Sequence, residues 1–166
     1  GALFSKVAGR LSFSGTQRNG TVDNVKTGAV VNDLDNLGLR GSLLFVPSEK
    51  VVITAAVDHT RQRPQGYTQV VAGVAPTQRP ANRQYAQIAA DLGYTAPSFN
   101  AFDRLTDVDT PLRSYQDLGG ETFNIDFGLG GGRLTSTTSR RYWEWDPSND
   151  RDFVGLAVGV GLGKRA

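Results

Sequence analysis

The sequence contains no cysteine and no methionine, and its 166 residues include one histidine. The absence of cysteine excludes disulfide frameworks, thiolate metal sites and cysteine nucleophiles. The absence of methionine means that residue 1 is not an initiator. Because the chain opens directly in strand-like sequence (GALFSKVAGR), we expect it to be a piece of a longer protein rather than a processed product.

Long apolar runs are also missing. No run of about 18 apolar residues occurs, so the sequence predicts no transmembrane helix. Nothing near residue 1 combines the charged start, the apolar stretch and the cleavage site of a signal peptide. A transmembrane β-strand is compatible with both absences, because it needs only about 9 to 11 residues with one apolar face. The net charge of +2 is too small to argue for nucleic acid as a partner.

Six segments alternate apolar and polar residues with the period of two that is typical of β-strands. In the second segment, for example, Leu39, Leu43 and Phe45 fall on one face, and Arg40 and Ser42 fall on the other. The pattern predicts an all-β fold with strands at about residues 3–16, 37–46, 51–60, 121–129, 133–145 and 153–162.

Long and short connections alternate between these strands. Residues 17–36 and 61–120 are long, whereas 47–50 and 130–132 are tight turns. In an antiparallel up-and-down meander this order puts elaborate loops at one end of the sheet and tight turns at the other, as in outer-membrane barrels. A helix is predicted within the longest loop, in NRQYAQIAADLGY (82–94), with Gly93 as its stop. We expect any binding residues to lie in the two long loops and assign none individually.

Candidate catalytic and metal-binding residues are few. His59 is predicted at a strand end, and no accompanying nucleophile and carboxylate are recognisable, so we interpret it as structural. Three acidic sets suggest calcium, but none has the alternating oxygens, the glycine and the closing glutamate of a calcium loop, and solvated loop tips are the favoured interpretation. The sequence therefore predicts no catalytic residue, no cofactor and no metal site. The acidic sets are Asp33 with Asp35, Asp107 with Asp109, and Asp146 with Asp150 and Asp152.

Basic and aromatic residues are frequent in the fifth predicted strand. Arg133, Arg140 and Arg141 could contact nucleic acid, but a basic sheet that binds RNA would offer an exposed aromatic platform among them. Here Tyr142, Trp143 and the nearby Trp145 sit together at one strand end, which favours an interfacial aromatic belt. An ordinary aromatic core is the alternative, because neighbouring residues of a strand point to opposite faces.

Three stretches together resemble the barrel portion of TonB-dependent outer-membrane receptors. They are GRLSFSGTQRNGTVDNVKTG (9–28), NDLDNLGLRGSLLFVPSEKVVITAAVDHTRQ (32–62) and GGETFNIDFGLGGGRLTSTTSRRYWEWDPSND (119–150). The resemblance implies a barrel of about 22 strands with a plugged lumen. It also implies energy-coupled uptake of siderophores, vitamins or other scarce nutrients across the cell outer membrane, with no enzymatic activity.

The partners implied by this resemblance are the lipid bilayer, a small-molecule nutrient or metal chelate, and a periplasm-spanning energy-coupling protein. That protein would act through a plug region absent from this chain, which we therefore expect to be an internal barrel fragment. Two alternatives stay open: a small closed outer-membrane barrel of about eight strands with a structural or adhesive role, and a soluble all-β binding module.

The barrel prediction assigns the two strand faces to different surroundings. Polar residues of the strands are expected to face a wet lumen, and one apolar row is expected to face hydrocarbon. The expected lumen residues are Arg40, Asp58, Asn124 and Asp126, and the expected lipid-facing row is Leu39, Leu43, Phe45, Ile53 and Val57.

Overall fold

A computed structural model describes residues 1–156 of the chain. Within these residues the fold is all-β and mostly antiparallel, with 53% of residues in strands and 8% in helices. The strands are β1 Ala2–Phe4, β2 Val7–Arg18, β3 Val22–Asn24, β4 Val30–Val31, β5 Leu34–Ser48, β6 Val51–Gln62, β7 Leu105–Thr106, β8 Arg113–Leu129 and β9 Gly132–Ser148. The helices are α1 Tyr85–Asp91 and two 3-10 turns, Ala81–Arg83 and Ala101–Asp103.

The long strands form one six-stranded sheet in the order β1-β2-β5-β6-β8-β9. Strands that follow one another in the chain lie side by side, which confirms the predicted up-and-down order. The sheet is open, because within residues 1–156 its two end strands do not pair with each other. Closure into a barrel is therefore not a property of the described part of the chain.

β5, β6 and β9 extend by a few residues beyond the predicted limits 37–46, 51–60 and 133–145. Three further differences are larger. The predicted strand 3–16 is divided into β1 and β2 by a turn at residues 5–6. The predicted strand 121–129 begins earlier, at Arg113, because the residues before it pair with β6, as in Gln116 with Gln62. Of the predicted strand 153–162, residues 153–156 form no strand, and residues 157–162 lie outside the described residues.

The register of the sheet sorts the side chains as the alternation predicted. Leu43 lies opposite Ala55, and Ala55 lies opposite Phe123, so one face of the sheet is apolar along this line. Three residues along the two strands, Arg40 lies opposite Asp58 on the other face. We call these the apolar face and the polar face.

Both tight turns occur where they were predicted. The first is the pair Glu49 and Lys50, and the second is the pair Gly130 and Gly131. The register of β5 and β6 shifts between Phe45 and Ser48, so Pro47 lies at an irregularity where its missing N–H does not interrupt the ladder. The sheet thus has its short connections at one end, opposite the end where Asn36, Gln62 and Gln116 lie side by side.

The long connections form a second compact unit of residues 18–34, 64–114 and the segment from residue 147. Its small sheet has the order β4-β3-β7, with β3 antiparallel to β4 and parallel to β7. Val22, Val31 and Val108 are its buried apolar side chains. The two loops that were predicted separately are therefore joined by backbone pairing, and we call this unit the loop module.

The predicted helix in the long loop is present as α1. It ends in a Schellman motif, in which Gly93 takes a φ of 64°. The Gly93 N–H donates to the Ala90 carbonyl at 3.1 Å, and the Tyr94 N–H donates to the Ala89 carbonyl at 2.8 Å. Glycine is favoured here because the left-handed conformation costs it nothing.

No helix among the described residues has both the length and the apolar composition needed to span a membrane.

The core of the loop module gives a first prediction. Val108 is 0% exposed, so Val108→Ala should destabilise the module by about 1.5–3 kcal/mol, through lost burial and the cavity left behind. The rate of limited proteolysis within residues 64–104 should rise as the free energy of unfolding of the module falls. The matched control is Val25→Ala, since Val25 is 55% exposed. Equal acceleration by both variants would contradict a core centred on Val108.

Candidate functional site

The apolar face of the sheet is exposed. Four of the five residues of the predicted row are substantially accessible: Leu39 47%, Leu43 53%, Phe45 41% and Val57 58%. Ile53 is half-buried. Soluble monomers rarely expose a contiguous apolar surface of this kind. In the described chain the buried apolar side chains all belong to the loop module, so the sheet has no core of its own.

A shallow hollow of about 800 Å³ lies on this face. Its floor consists of small residues, Gly9, Gly41 and Ala55, one from each of three neighbouring strands, and Leu43 and Phe123 are among the larger residues around it. The hollow exists because these strands carry glycine or alanine where the flanking positions carry bulky side chains. It could accept hydrocarbon chains, although the charged residues Arg10, Glu121 and Arg140 also line it.

The polar face carries a three-residue ionic cluster. Asp58 accepts a hydrogen bond from Arg141 at 2.7 Å and lies 3.6 Å from the guanidinium of Arg40. Nearby on the same face, the Thr135 hydroxyl donates to Asp126 at 2.5 Å, and Asn124 pairs with Thr54 in register. The four residues predicted to line a wet lumen, which are Arg40, Asp58, Asn124 and Asp126, therefore share one face.

Two adjacent glycines of β8 allow side chains of β9 to cross it. On the apolar face, a Cβ at Gly119 would lie 2.8 Å from the Tyr142 hydroxyl. On the polar face, a Cβ at Gly120 would collide with the Arg140 carbonyl and the Arg141 side chain. Because neither glycine carries a side chain, Tyr142 reaches β6 on one face and Arg141 reaches it on the other. Sequence reasoning missed this role, for which a Gly-Gly pair inside a strand was the available signal.

His59 is the residue of β6 that Tyr142 reaches. Its Nδ1 lies 2.7 Å from the Tyr142 hydroxyl, and its Nε2 lies 3.8 Å from Asp117. Asp117 in turn forms an ion pair with Arg63. His59 lies inside β6, which extends to Gln62, and not at the strand end where it was predicted. This chain of contacts links β6, β8 and β9 and holds the imidazole in place.

The three clustered aromatics divide between the faces. Tyr142 lies on the apolar face with His59, whereas Trp143 donates to Gln116 at 3.2 Å and stacks with Trp145 on the polar face. The predicted aromatic belt would require all three on the face toward lipid. Because neighbouring residues of a strand alternate, Tyr142 and the two tryptophans point to opposite faces, and no one face carries all three rings.

The predicted basic set divides in the same way. Arg141 lies on the polar face, bound to Asp58, whereas its neighbour Arg140 contributes to the hollow of the apolar face. Arg133 follows the tight turn at the start of β9. The structure therefore does not bring the three arginines together into one basic patch.

Two of the acidic residues predicted at solvated loop tips are buried instead. Asp150 is 4% exposed and Asp107 is 9% exposed. Asp150 accepts backbone hydrogen bonds from Asp109, Asp152 and Phe153. Burial raises the pKa of Asp150, but the hydrogen bonds from Asp152 and from backbone N–H groups outweigh it and leave that pKa below its ordinary value. Burial and the hydrogen bond to Asp150 raise the pKa of Asp152.

No group of three or more histidine, cysteine or acidic side chains in residues 1–156 is arranged to hold a metal ion. In the acidic set around Asp150, the Asp150 carboxylate binds backbone N–H groups of the module instead. Asp33 behaves similarly, because it accepts a hydrogen bond from the Gln65 N–H at 2.6 Å.

Two asparagines connect the segments of the loop module. Asn24 donates to the Val108 carbonyl at 2.8 Å and accepts from the Lys26 and Thr27 N–H groups. Asn32 exchanges two hydrogen bonds with the backbone of Thr68, at 3.1 and 2.8 Å. Both pairs join residues distant in sequence, so the module is folded rather than a set of independent loops. The sequence around each asparagine did not predict this role in joining distant segments.

The loop module contains a pocket of about 600 Å³. The rings of Tyr85, Tyr94 and Phe99 contribute to its walls together with alanines of α1. Burial and the neighbouring carboxylate of Asp107 raise the pKa of Tyr94, so its hydroxyl keeps its proton. Such a mostly apolar, concave site can accept a small organic molecule.

No family model matches the chain, and neither a curated protein nor a solved structure matches it significantly. What the geometry defines is a class: an open antiparallel sheet with one apolar and one polar face, whose long connections fold into a separate module.

The glycine pair of β8 gives a second prediction. Gly120→Ala should destabilise the sheet by about 1–3 kcal/mol, because the added methyl group would collide with backbone and with Arg141. Denaturant unfolding followed by circular dichroism measures the change. The control is Gly131→Ala, where a Cβ would meet nothing within 4 Å. Similar losses in both variants would show that Gly120 is not needed for the crossing.

The hydrogen-bonded pair Asp150 and Asp152 gives a third prediction. Substitution of the two residues should change the stability of the module at neutral pH in opposite directions. Asp152 has a raised pKa, so its contribution to stability is present at acidic pH and is lost as pH rises through that pKa. Asp152→Asn keeps an uncharged partner for Asp150, so it should increase the stability of the module at neutral pH and flatten its pH dependence.

Asp150→Asn is the matched comparison. Asp150 has a lowered pKa, so its contribution is present at neutral pH and is lost as pH falls through that pKa. The substitution replaces one of the two acceptor oxygens with an NH2 donor that would face backbone N–H groups, so it should destabilise the module at neutral pH by about 1–3 kcal/mol. Protease resistance of residues 64–114 measured across the acidic to neutral range tests both variants. Opposite effects at neutral pH are expected, and equal effects would refute the assignment.

Proposed function

We propose that this chain is a segment of the β-barrel of a TonB-dependent outer-membrane receptor. In this role it contributes to energy-coupled uptake of a siderophore, a vitamin or another scarce nutrient and carries out no catalysis of its own. The observation that carries the proposal is the exposed apolar face, with Leu43 and Phe45 accessible, opposite a polar face with the Arg40, Asp58 and Arg141 cluster.

The two faces require different surroundings. Burying the accessible apolar side chains is favourable by roughly 25 cal/mol per Å², whereas the ionic cluster is best left in water, because removing paired charges from water costs several kcal/mol per ion. A strand in a barrel wall meets both requirements, since alternate side chains face lipid and lumen.

The arrangement of connections supports the same assignment. At one end of the sheet lie the two-residue turns, and at the other lie the connections that build the loop module. Outer-membrane barrels have short turns on the periplasmic side and long loops outside. In the proposed orientation the long connections leave the sheet on the outer side.

The two alternatives are less well supported. A closed barrel of about eight strands would need two further spanning strands within 61–120. Between β6 and β8 the described residues provide only β7, two residues long, and β7 belongs to the loop module. A soluble module would need its apolar faces buried, and the row from Leu39 to Val57 is accessible.

The proposed partners follow from this role. They are the lipid bilayer around the apolar face, the transported nutrient, and a periplasm-spanning energy-coupling protein that acts through a plug region outside this chain. Nucleic acid is not among them.

Single-site spin labelling tests the proposed surroundings of the two faces. The chain has no cysteine, so Leu43→Cys and Ser42→Cys each give one labelled position on opposite faces. In lipid nanodiscs, the label at residue 43 should collide more often with lipid-soluble oxygen. The label at residue 42 should collide more often with a water-soluble nickel complex.

Phe45→Cys and Thr54→Cys repeat the comparison at a neighbouring position of the apolar face and of the polar face, respectively. Equal accessibility to both relaxing agents at residues 42 and 43 would refute the proposal. A chain that is monomeric and monodisperse in buffer without detergent would refute it as well.

A further inference from the structure

Trp143 and Trp145 expose large apolar surfaces on the polar face, which also carries Leu44 and Leu118. They are 63% and 51% exposed, and their rings are stacked with centroids 5.8 Å apart and an interplanar angle of 16°. An exposed aromatic pair on a wet surface is unfavourable unless something covers it, and such patches mark binding sites. They lie on the face opposite the one proposed to meet lipid, so anchoring in the membrane interface does not explain them.

The pair is held in a fixed orientation. Trp143 Nε1 donates to the Gln116 side chain of the neighbouring strand at 3.2 Å. The stacking contact fixes the two rings relative to each other. A rigid aromatic surface loses little conformational entropy when a ligand stacks on it, which favours binding.

A cationic group lies beside Trp143. Arg141 lies two residues before Trp143 on the same face of β9. Both line a hollow of about 500 Å³ together with Gln116 and Leu118. The cluster has two guanidinium groups, of Arg40 and Arg141, and one carboxylate, of Asp58, so its formal charge is 2 − 1 = +1. The Arg141 side chain is 52% exposed. A guanidinium has five N–H donors, and one carboxylate cannot use all of those on two arginines.

We propose that Trp143, Trp145 and Arg141 form a binding site for a planar aromatic anion on the polar face. The ring of the ligand would stack on the indoles, as flat aromatic groups do, and its anionic oxygens would accept hydrogen bonds from the guanidinium. The inference rests on the proposed function only in taking the polar face to be wet.

Intrinsic fluorescence reports directly on this site, because the chain has two tryptophans and both belong to it. The full chain in detergent micelles is titrated with para-nitrobenzoate, a planar anion that quenches tryptophan. The neutral para-nitrobenzyl alcohol and acetate, an anion without a ring, serve as matched probes. Saturable quenching by para-nitrobenzoate is expected, at least about tenfold tighter than by the alcohol, which corresponds to about 1.4 kcal/mol. Excess acetate should not displace it.

Two neighbouring arginines on opposite faces provide the control variants. Arg141→Gln should weaken binding of para-nitrobenzoate by about tenfold, whereas Arg140→Gln should leave it unchanged. Trp143→Phe keeps an aromatic ring and should retain weaker, saturable binding, which also shows that the variant is folded.

Equal affinity for the acid and the alcohol, or equal losses in the two arginine variants, would overturn this site. The result is distinguishable from failure of the proposed function, because binding to the polar face is measured independently of the lipid accessibility of residues 42 and 43.

Discussion

The hydrogen-bonded ladders on both sides of β6 are the constraint on which the rest of the sheet depends. Every residue of β6 from Val51 to Gln62 has a partner in β8, and nearly all have a partner in β5. Since side chains alternate along each strand, this continuous register fixes the face on which each residue of the three strands lies. A one-residue shift of β6 would place Asp58 among the leucines of the apolar face. The same shift of β5 would place Leu43 beside the ionic cluster.

The glycine pair of β8 extends this constraint to a fourth strand. Tyr142 and Arg141 are neighbours in β9, and each reaches β6 over a position without a side chain. The His59 and Asp58 contacts are therefore two consequences of one feature, and they tie three strands together on both faces. With almost no buried side chains in the sheet, such cross-strand contacts supplement the backbone ladder as a source of cohesion.

Much of the sheet could be predicted from sequence because strand alternation is a local signal. Arg40 within the alternation of Leu37, Leu39 and Leu43, or Asp126 between Ile125 and Phe127, reveals a face without knowledge of any partner strand. The start of β8 at Arg113 was not predictable in this way, because RSYQDLGG has no clean alternation and its strand state depends on pairing with β6. The same holds for the loop module, where the burial of Asp150 and the bonds of Asn32 arise from residues distant in sequence. The tryptophan pair was recognised as a cluster, but its face depends on the register of β9.

The distribution of buried residues explains why the two units pose different physical problems. The loop module encloses Val22, Val31 and Val108, as a small globular unit does, and satisfies its polar groups internally through Asn24 and Asp150. The sheet satisfies its backbone through pairing but leaves its apolar side chains uncovered. Water on both faces would suit the polar face but leave the apolar face uncovered. A protein layer on both faces would cover the apolar face but bury the ionic cluster away from water, which is costly. An apolar cover on one face and water on the other suits both faces at once, and the wall of a barrel is the setting that we propose for it.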